Sequence, residues 1–123
     1  MNILVSGATG TIGSELVKVL AERGADVCAF ARNPDKASFP QGVKVAKGDL
    51  MSVESVRAAL AGTRTLFLLN AVTPDELTQA LIALNLAREA GVERIVYFSV
   101  IHGDRYVNVP HFAGKYAAEC GFR

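Results

Sequence analysis

Between an apolar run, Ile3-Leu4-Val5, and a stretch of helical period lies the segment Gly7-Ala8-Thr9-Gly10-Thr11-Ile12-Gly13. Few folds admit three glycines at this spacing between a strand and a helix. Gly7 permits a tight turn, Gly10 lets the backbone approach a pyrophosphate with no Cβ between them, and Gly13 lets the helix pack closely on the sheet. The amides that open the helix carry partial positive charge, so an anion is held without a basic side chain in the loop. Thr9, Thr11 and Ile12 join the three glycines in this candidate site. Glycines used only for turning would not need strand, loop and helix in this order.

The rest of the chain repeats the alternation of apolar runs and helical stretches. Ile3 to Val5 has no interleaved polar residue, as in a central strand buried on both faces. Ile12, Leu16, Val17, Val19 and Leu20 make a helical stripe that Gly24 ends. Val27 to Ala31 is a second strand, broken by Asn33-Pro34-Asp35, and Val43 to Ala46 is a third. Ser52 caps a helix carrying Val53, Val56 and Leu60 on one face and ending at Gly62. Thr65 to Leu69 is a fourth strand. Thr73, Pro74 and Glu76 supply cap, first-turn proline and third-position acid for a helix whose buried stripe is Leu77, Leu81 and Leu84, closed by Gly91. Ile95 to Phe98 is a fifth strand, and a last helix begins near Pro110. This pattern predicts an α/β fold, a doubly wound parallel sheet of order 3-2-1-4-5 in a single domain over 1–123. Its ligand crevice falls between strands 1 and 4, beside Gly7 and Asn70.

Charge excludes other classes. With 13 basic and 12 acidic side chains among 123 residues, net charge is +1, and no basic block suits nucleic acid. No apolar stretch is long enough to span a membrane and no leader pattern opens the chain, so a cytoplasmic protein is expected. Cys28 and Cys120 have no metal-ligand or disulfide spacing and read as reduced thiols; no metal is expected.

The end of strand 2 decides which dinucleotide fits. An acidic residue there would grip the ribose hydroxyls of NAD; the sequence has Phe30-Ala31-Arg32-Asn33 instead. Arg32, about 20 residues beyond the last glycine, can fork onto the 2′-phosphate of NADP, with Lys36 as a second cation. Asp26 lies at the wrong end of the strand. NADP(H) is therefore expected over NAD(H), although Arg32 also reads as a solvated surface charge. Asp49, with Leu50, lies in the crevice and can accept from the adenine amine, or can simply form a turn. Asn70, Ala71 and Val72 line the ribose and pyrophosphate, or are ordinary loop residues.

The glycine loop, Arg32-Asn33-Pro34, Gly48-Asp49-Leu50 and the stretch from Tyr97-Phe98-Ser99 to His111-Phe112-Ala113-Gly114-Lys115-Tyr116 together resemble the atypical short-chain dehydrogenases, in particular the NmrA-like family. The resemblance covers essentially this whole chain but only the N-terminal part of a typical member. In the wider superfamily a serine after strand 5 and a Tyr-x-x-x-Lys on the next helix do the chemistry. Here Ser99 and Lys115 match, while His111 stands in the tyrosine's place. The resemblance thus implies catalytic candidates Ser99, His111 and Lys115, with Lys115 also on the cofactor. His111 reads equally as a helix-start polar residue, Lys115 as a surface lysine and His102 as a loop histidine.

The resemblance, with histidine in the tyrosine's place as in many NmrA-like proteins, implies an NADP(H)-binding protein of redox- or nucleotide-sensing type, non-catalytic or weakly catalytic. The alternative is an NAD(P)H-dependent oxidoreductase acting on a small quinone or carbonyl compound. A flavodoxin-like sheet would also carry a phosphate loop after strand 1, but would leave Arg32 no task. The chain is expected to stop before a sixth strand, leaving strand 5 as an edge through which a homo-oligomer forms.

Overall fold

A computed structural model describes residues 2–69 and 76–98. Five strands, β1 (Asn2–Ser6), β2 (Asp26–Ala31), β3 (Lys44–Lys47), β4 (Thr65–Leu68) and β5 (Arg94–Tyr97), form one sheet in the order β3-β2-β1-β4-β5. Every pairing is parallel. Helices α1 (Thr11–Glu22), α2 (Val53–Leu60) and α3 (Glu76–Ala90) connect them, with one 3-10 turn at Pro34–Lys36. This is the doubly wound order expected, and it differs from the flavodoxin-like 2-1-3-4-5.

β1 lies at the centre because its side chains can be buried on both faces. Ile3 pairs with Val27 on one side and with Thr65 on the other. Successive residues then feed two cores. Leu4, Phe30, Leu66 and Leu68 pack with Val56 and Leu60 of α2 and with the alanines of α3. Ile3, Val5, Val27 and Ala29 pack with Val17 of α1. The outer strands are less covered. Val45 of β3 is exposed, and Lys44 and Lys47 on the same strand discourage further pairing at that edge. On β5 and just beyond it, Val96 and Phe98 are exposed.

Several helical faces differ from those expected. In α3 the expected stripe holds only in part: Leu84 is buried and Leu77 half-buried against the core, but Leu81 is exposed. The covered face runs through Ala80, Ala83 and Ala87, with Leu84 and Leu86 at its margins. Small side chains let α3 sit close to α2 and the sheet, so the face is set by fit rather than by the largest apolar residues. In α1, Ile12 and Val19 leave the stripe and are exposed, while Gly13 and Val17 are buried. Val53, in the first turn of α2, is exposed as well. β3 and β5 each begin and end one residue from the expected bounds, set by the pairing of Ala31 with Lys47 and of Leu68 with Tyr97. The Thr73-Pro74 helix start, the last helix and Cys120 lie outside the described residues.

Candidate functional site

The loop after β1 shows what each glycine does. Gly7 has φ +62°, and a Cβ there would lie 2.7 Å from the Leu69 carbonyl oxygen, so the turn and the close approach of β4 both demand glycine. A Cβ on Gly13 would enter the Gly7 carbonyl group, 2.8 Å from its carbon and 3.0 Å from Ala8 Cα. The helix thus packs against the loop itself, a closer constraint than contact with the sheet. Gly10 differs. Its φ is −75°, which any residue adopts, and a Cβ would press only on the Gly7 oxygen at 3.3 Å. The fold asks less for glycine at this position than at the other two.

No side chain caps α1, and its first turn holds no acidic residue. Thr11, Ile12 and Gly13, whose amides open the helix, line a cavity of about 410 Å3. Such a helix start is an anion site by its own chemistry, and the volume lies in the range of small-molecule sites.

At the mouth of the crevice β1 and β4 are joined by a side chain. Ser6, 1% exposed, donates from Oγ to the Leu69 carbonyl at 2.8 Å and accepts from the Leu69 amide at 2.8 Å. The backbone pairing of the two strands ends at Val5 and Phe67, and the hydroxyl carries the link onward.

The far side of the cavity follows β2 and β3. Arg32 and Lys36 are exposed and line it, brought to one rim by the turn in which the Lys36 amide donates to the Asn33 carbonyl at 3.1 Å. No Asp or Glu ends β2; Asp26 is at its other end, 3.8 Å from Lys44 in an exposed pair. Asp49 serves the turn, its Oδ1 accepting the Met51 amide at 2.9 Å, and it lines the cavity as well. Ser55 braces this loop by donating to the Asp49 carbonyl at 2.9 Å while accepting the Asp49 amide at 3.1 Å. Leu50 lines the same wall.

The structure therefore brings Gly7, Thr9, Gly10, Thr11, Ile12, Gly13, Arg32, Lys36, Asp49 and Leu50 to one cavity. Asn70, Ala71, Val72, Ser99, His102, His111 and Lys115 lie outside the described residues. Gly48, which precedes Asp49 in the same crevice loop, lines it as well; sequence reasoning passed over Phe30, Leu69 and Gln79, which also line it. Gly48 is tight: a Cβ would sit 2.6 Å from Phe30 Cε2 and 2.9 Å from Ser55 Cβ. Gln79 shares the covered face of α3 with the buried Glu76, so no pattern in the sequence set it apart. Cys28, a free thiol on β2, is half-buried, and burial pushes its pKa up, with Lys44 opposing and Asp26 adding to the shift.

The family described as NAD(P)H-binding matches residues 7–119. The chain belongs to this family. Its motifs and neighbours set it among the NAD(P)-binding atypical short-chain dehydrogenases of NmrA-like kind. Triphenylmethane reductase of Citrobacter sp., solved in complex with NADP(H), is 31% identical and superposes with a TM-score of 0.85 over 95% of this chain and 43% of its own. The NADPH-dependent quinone oxidoreductase of Escherichia coli, solved with NADPH, is 27% identical, with a TM-score of 0.85 over 98% of this chain and 44% of its own. A photosystem II assembly factor of Cyanophora paradoxa is 32% identical over an alignment of 120 positions that covers 89% of this chain and 37% of that protein. The chain thus spans less than half the length of each of these relatives. Among the described residues no helix is long and apolar enough to cross a membrane.

Proposed function

We propose that this NAD(P)H-binding chain takes NADP(H) in preference to NAD(H) and works as a nucleotide-responsive binding protein with little or no turnover. The observation that carries the preference is the rim formed by Arg32 and Lys36 where β2 ends without a carboxylate. A guanidinium and an ammonium attract a 2′-phosphate, and an acidic residue there would repel it. The pyrophosphate goes to the amides of Thr11, Ile12 and Gly13, the space at Gly10 admits it, and Asp49 and Leu50 receive the adenine. Asn70, Ala71, Val72 and Lys115 complete the cofactor set. When bound, the nicotinamide supplies hydride chemistry, and the protein supplies orientation.

The second reading is an NADPH-dependent reductase of a quinone or carbonyl compound, in which Ser99, His111 and Lys115 serve the reaction. It is favoured by the likeness to a quinone oxidoreductase and to triphenylmethane reductase. His111 in place of tyrosine favours the binding role. A cytoplasmic location, a single domain over 1–123 and homo-oligomer formation along the β5 edge go with either reading; sedimentation as a monomer at micromolar concentration would remove the last.

Calorimetric titration with NADPH and NADH in parallel, repeated on Arg32→Ala protein, tests the proposal. Tighter binding of NADPH that Arg32→Ala abolishes upholds it, and equal affinity for the two nucleotides refutes the preference. NADPH oxidation on addition of a quinone would move the assignment to the second reading.

A further inference from the structure

Among the described residues of the cavity wall, Gln79 is a buried polar side chain that the nucleotide reading leaves without a task. It is 9% exposed and sits on the covered face of α3, one turn before Ala83. Ala83, Phe30 and Leu50 line a small apolar void of about 10 Å3, too small for more than a single water. Phe30 and Leu50 also bound the large cavity, together with Gln79. The face of α3 therefore changes from methyl to amide where the wall passes from core to cavity. Leucine would fill that position at no polar cost, whereas a buried amide is tolerated only if its hydrogen-bonding capacity is used. An amide has several bonds to give, so one partner within the fold leaves others for a ligand.

Asp49 lines the same cavity from another element. It follows β3 whereas α3 follows β4, so the two approach the slot from either side of β2 and β1. The Asp49 carboxylate is held in place by the Met51 amide at 2.9 Å. Phe30 and Leu50 make the slot between them apolar, and Gly48 keeps the Phe30 ring from being pushed into it.

Resting on the dinucleotide reading, the geometry points to Gln79 as a specificity-determining residue for the base: Asp49 accepts one N–H of the exocyclic amine of adenine, and Gln79 Oε1 accepts the other. Two oxygen acceptors converging on that place select an aminopurine. An oxopurine presents a carbonyl there, which the Asp49 carboxylate opposes and which Gln79 meets only with its amide turned over to donate.

The test compares NADPH with its deamino analogue, in which hypoxanthine replaces adenine, by titration of the wild-type chain and of two variants. Wild type binds the analogue roughly tenfold or more weakly, in line with the loss of charge-assisted hydrogen bonds. Gln79→Met, of similar shape and good helix propensity, loses about tenfold for NADPH but much less for the analogue, so the ratio narrows. Gln79→Glu keeps an oxygen at the same reach and retains the ratio. A purely structural role would lower both affinities alike, and that result overturns the inference. Equal affinity of wild type for the two nucleotides overturns it without any variant. If wild type binds neither NADPH nor NADH, the dinucleotide reading falls and this inference with it. NADPH binding with a ratio unmoved by Gln79→Met refutes Gln79 alone.

Discussion

At one end of the crevice the walls are backbone; at the other they are side chains. Around Gly7, Gly10 and Gly13 the fit depends on missing Cβ atoms and on uncapped helix amides. Around Phe30, Leu50, Asp49 and Gln79 it depends on a ring, an aliphatic wall, a carboxylate and an amide drawn from β2, the loop after β3 and α3. A backbone site recognises charge and shape common to many phosphates. A side-chain site distinguishes one base or one ribose substituent from another. On the proposed reading, affinity belongs chiefly to the first end and selectivity to the second.

Substitutions at each end can break that division. Gly13→Val has the largest expected effect, because its side chain enters the Gly7 carbonyl group and must displace the loop. NADPH and NADH binding are both lost in calorimetry, and urea unfolding shows a fall of about 1–3 kcal/mol in stability. Gly48→Ala comes next. It forces the buried Phe30 ring aside, costs a similar overpacking penalty of about 1–3 kcal/mol, and weakens NADPH and NADH alike. Arg32→Ala acts on one ligand only: NADPH weakens by about tenfold, the lower end for a charge-assisted contact at an exposed site, and NADH does not change. An equal loss for both nucleotides would show that the side-chain end supplies general affinity after all.

The smallest effect lies away from both ends. Because burial raises the Cys28 thiol above its usual range, the folded chain holds this proton more tightly than the unfolded one. The stability it contributes is complete below the unfolded thiol pKa and is lost as pH rises through the folded value. Urea unfolding of wild type and Cys28→Ala at neutral and alkaline pH measures this, and the gap between them should narrow in base.

These two ends were not equally legible in the sequence. Strand order and the phosphate loop could be read because they depend on local patterns: contiguous β-branched and aliphatic residues, then glycines at fixed spacing. Arg32 and Lys36 could be read from their offset to that loop. Gln79 and Phe30 could not, since they reach the cavity only when α3 and β2 are brought together by tertiary packing. The exposure of Leu81 on α3 has the same origin. Leu77, Leu81 and Leu84 repeat at helical spacing, yet the space above the sheet admits the alanines Ala80, Ala83 and Ala87 more closely. Periodicity reports which residues are apolar; only the neighbouring surfaces decide which of them fit.

The bond from Ser6 to Leu69 bears on which sequences this crevice will tolerate. A strand residue is usually replaceable by any side chain of similar bulk, and Leu4 and Val5 should accept such exchanges under selection for a folded, nucleotide-binding chain. Position 6 should not. A variant without a hydroxyl leaves the amide and carbonyl of Leu69 without the partner that links them to β1, while a larger residue pushes β4 away. In a saturation library the tolerated set at this position narrows to serine and threonine, and the most restricted site of the strand is then a residue that need not touch the ligand.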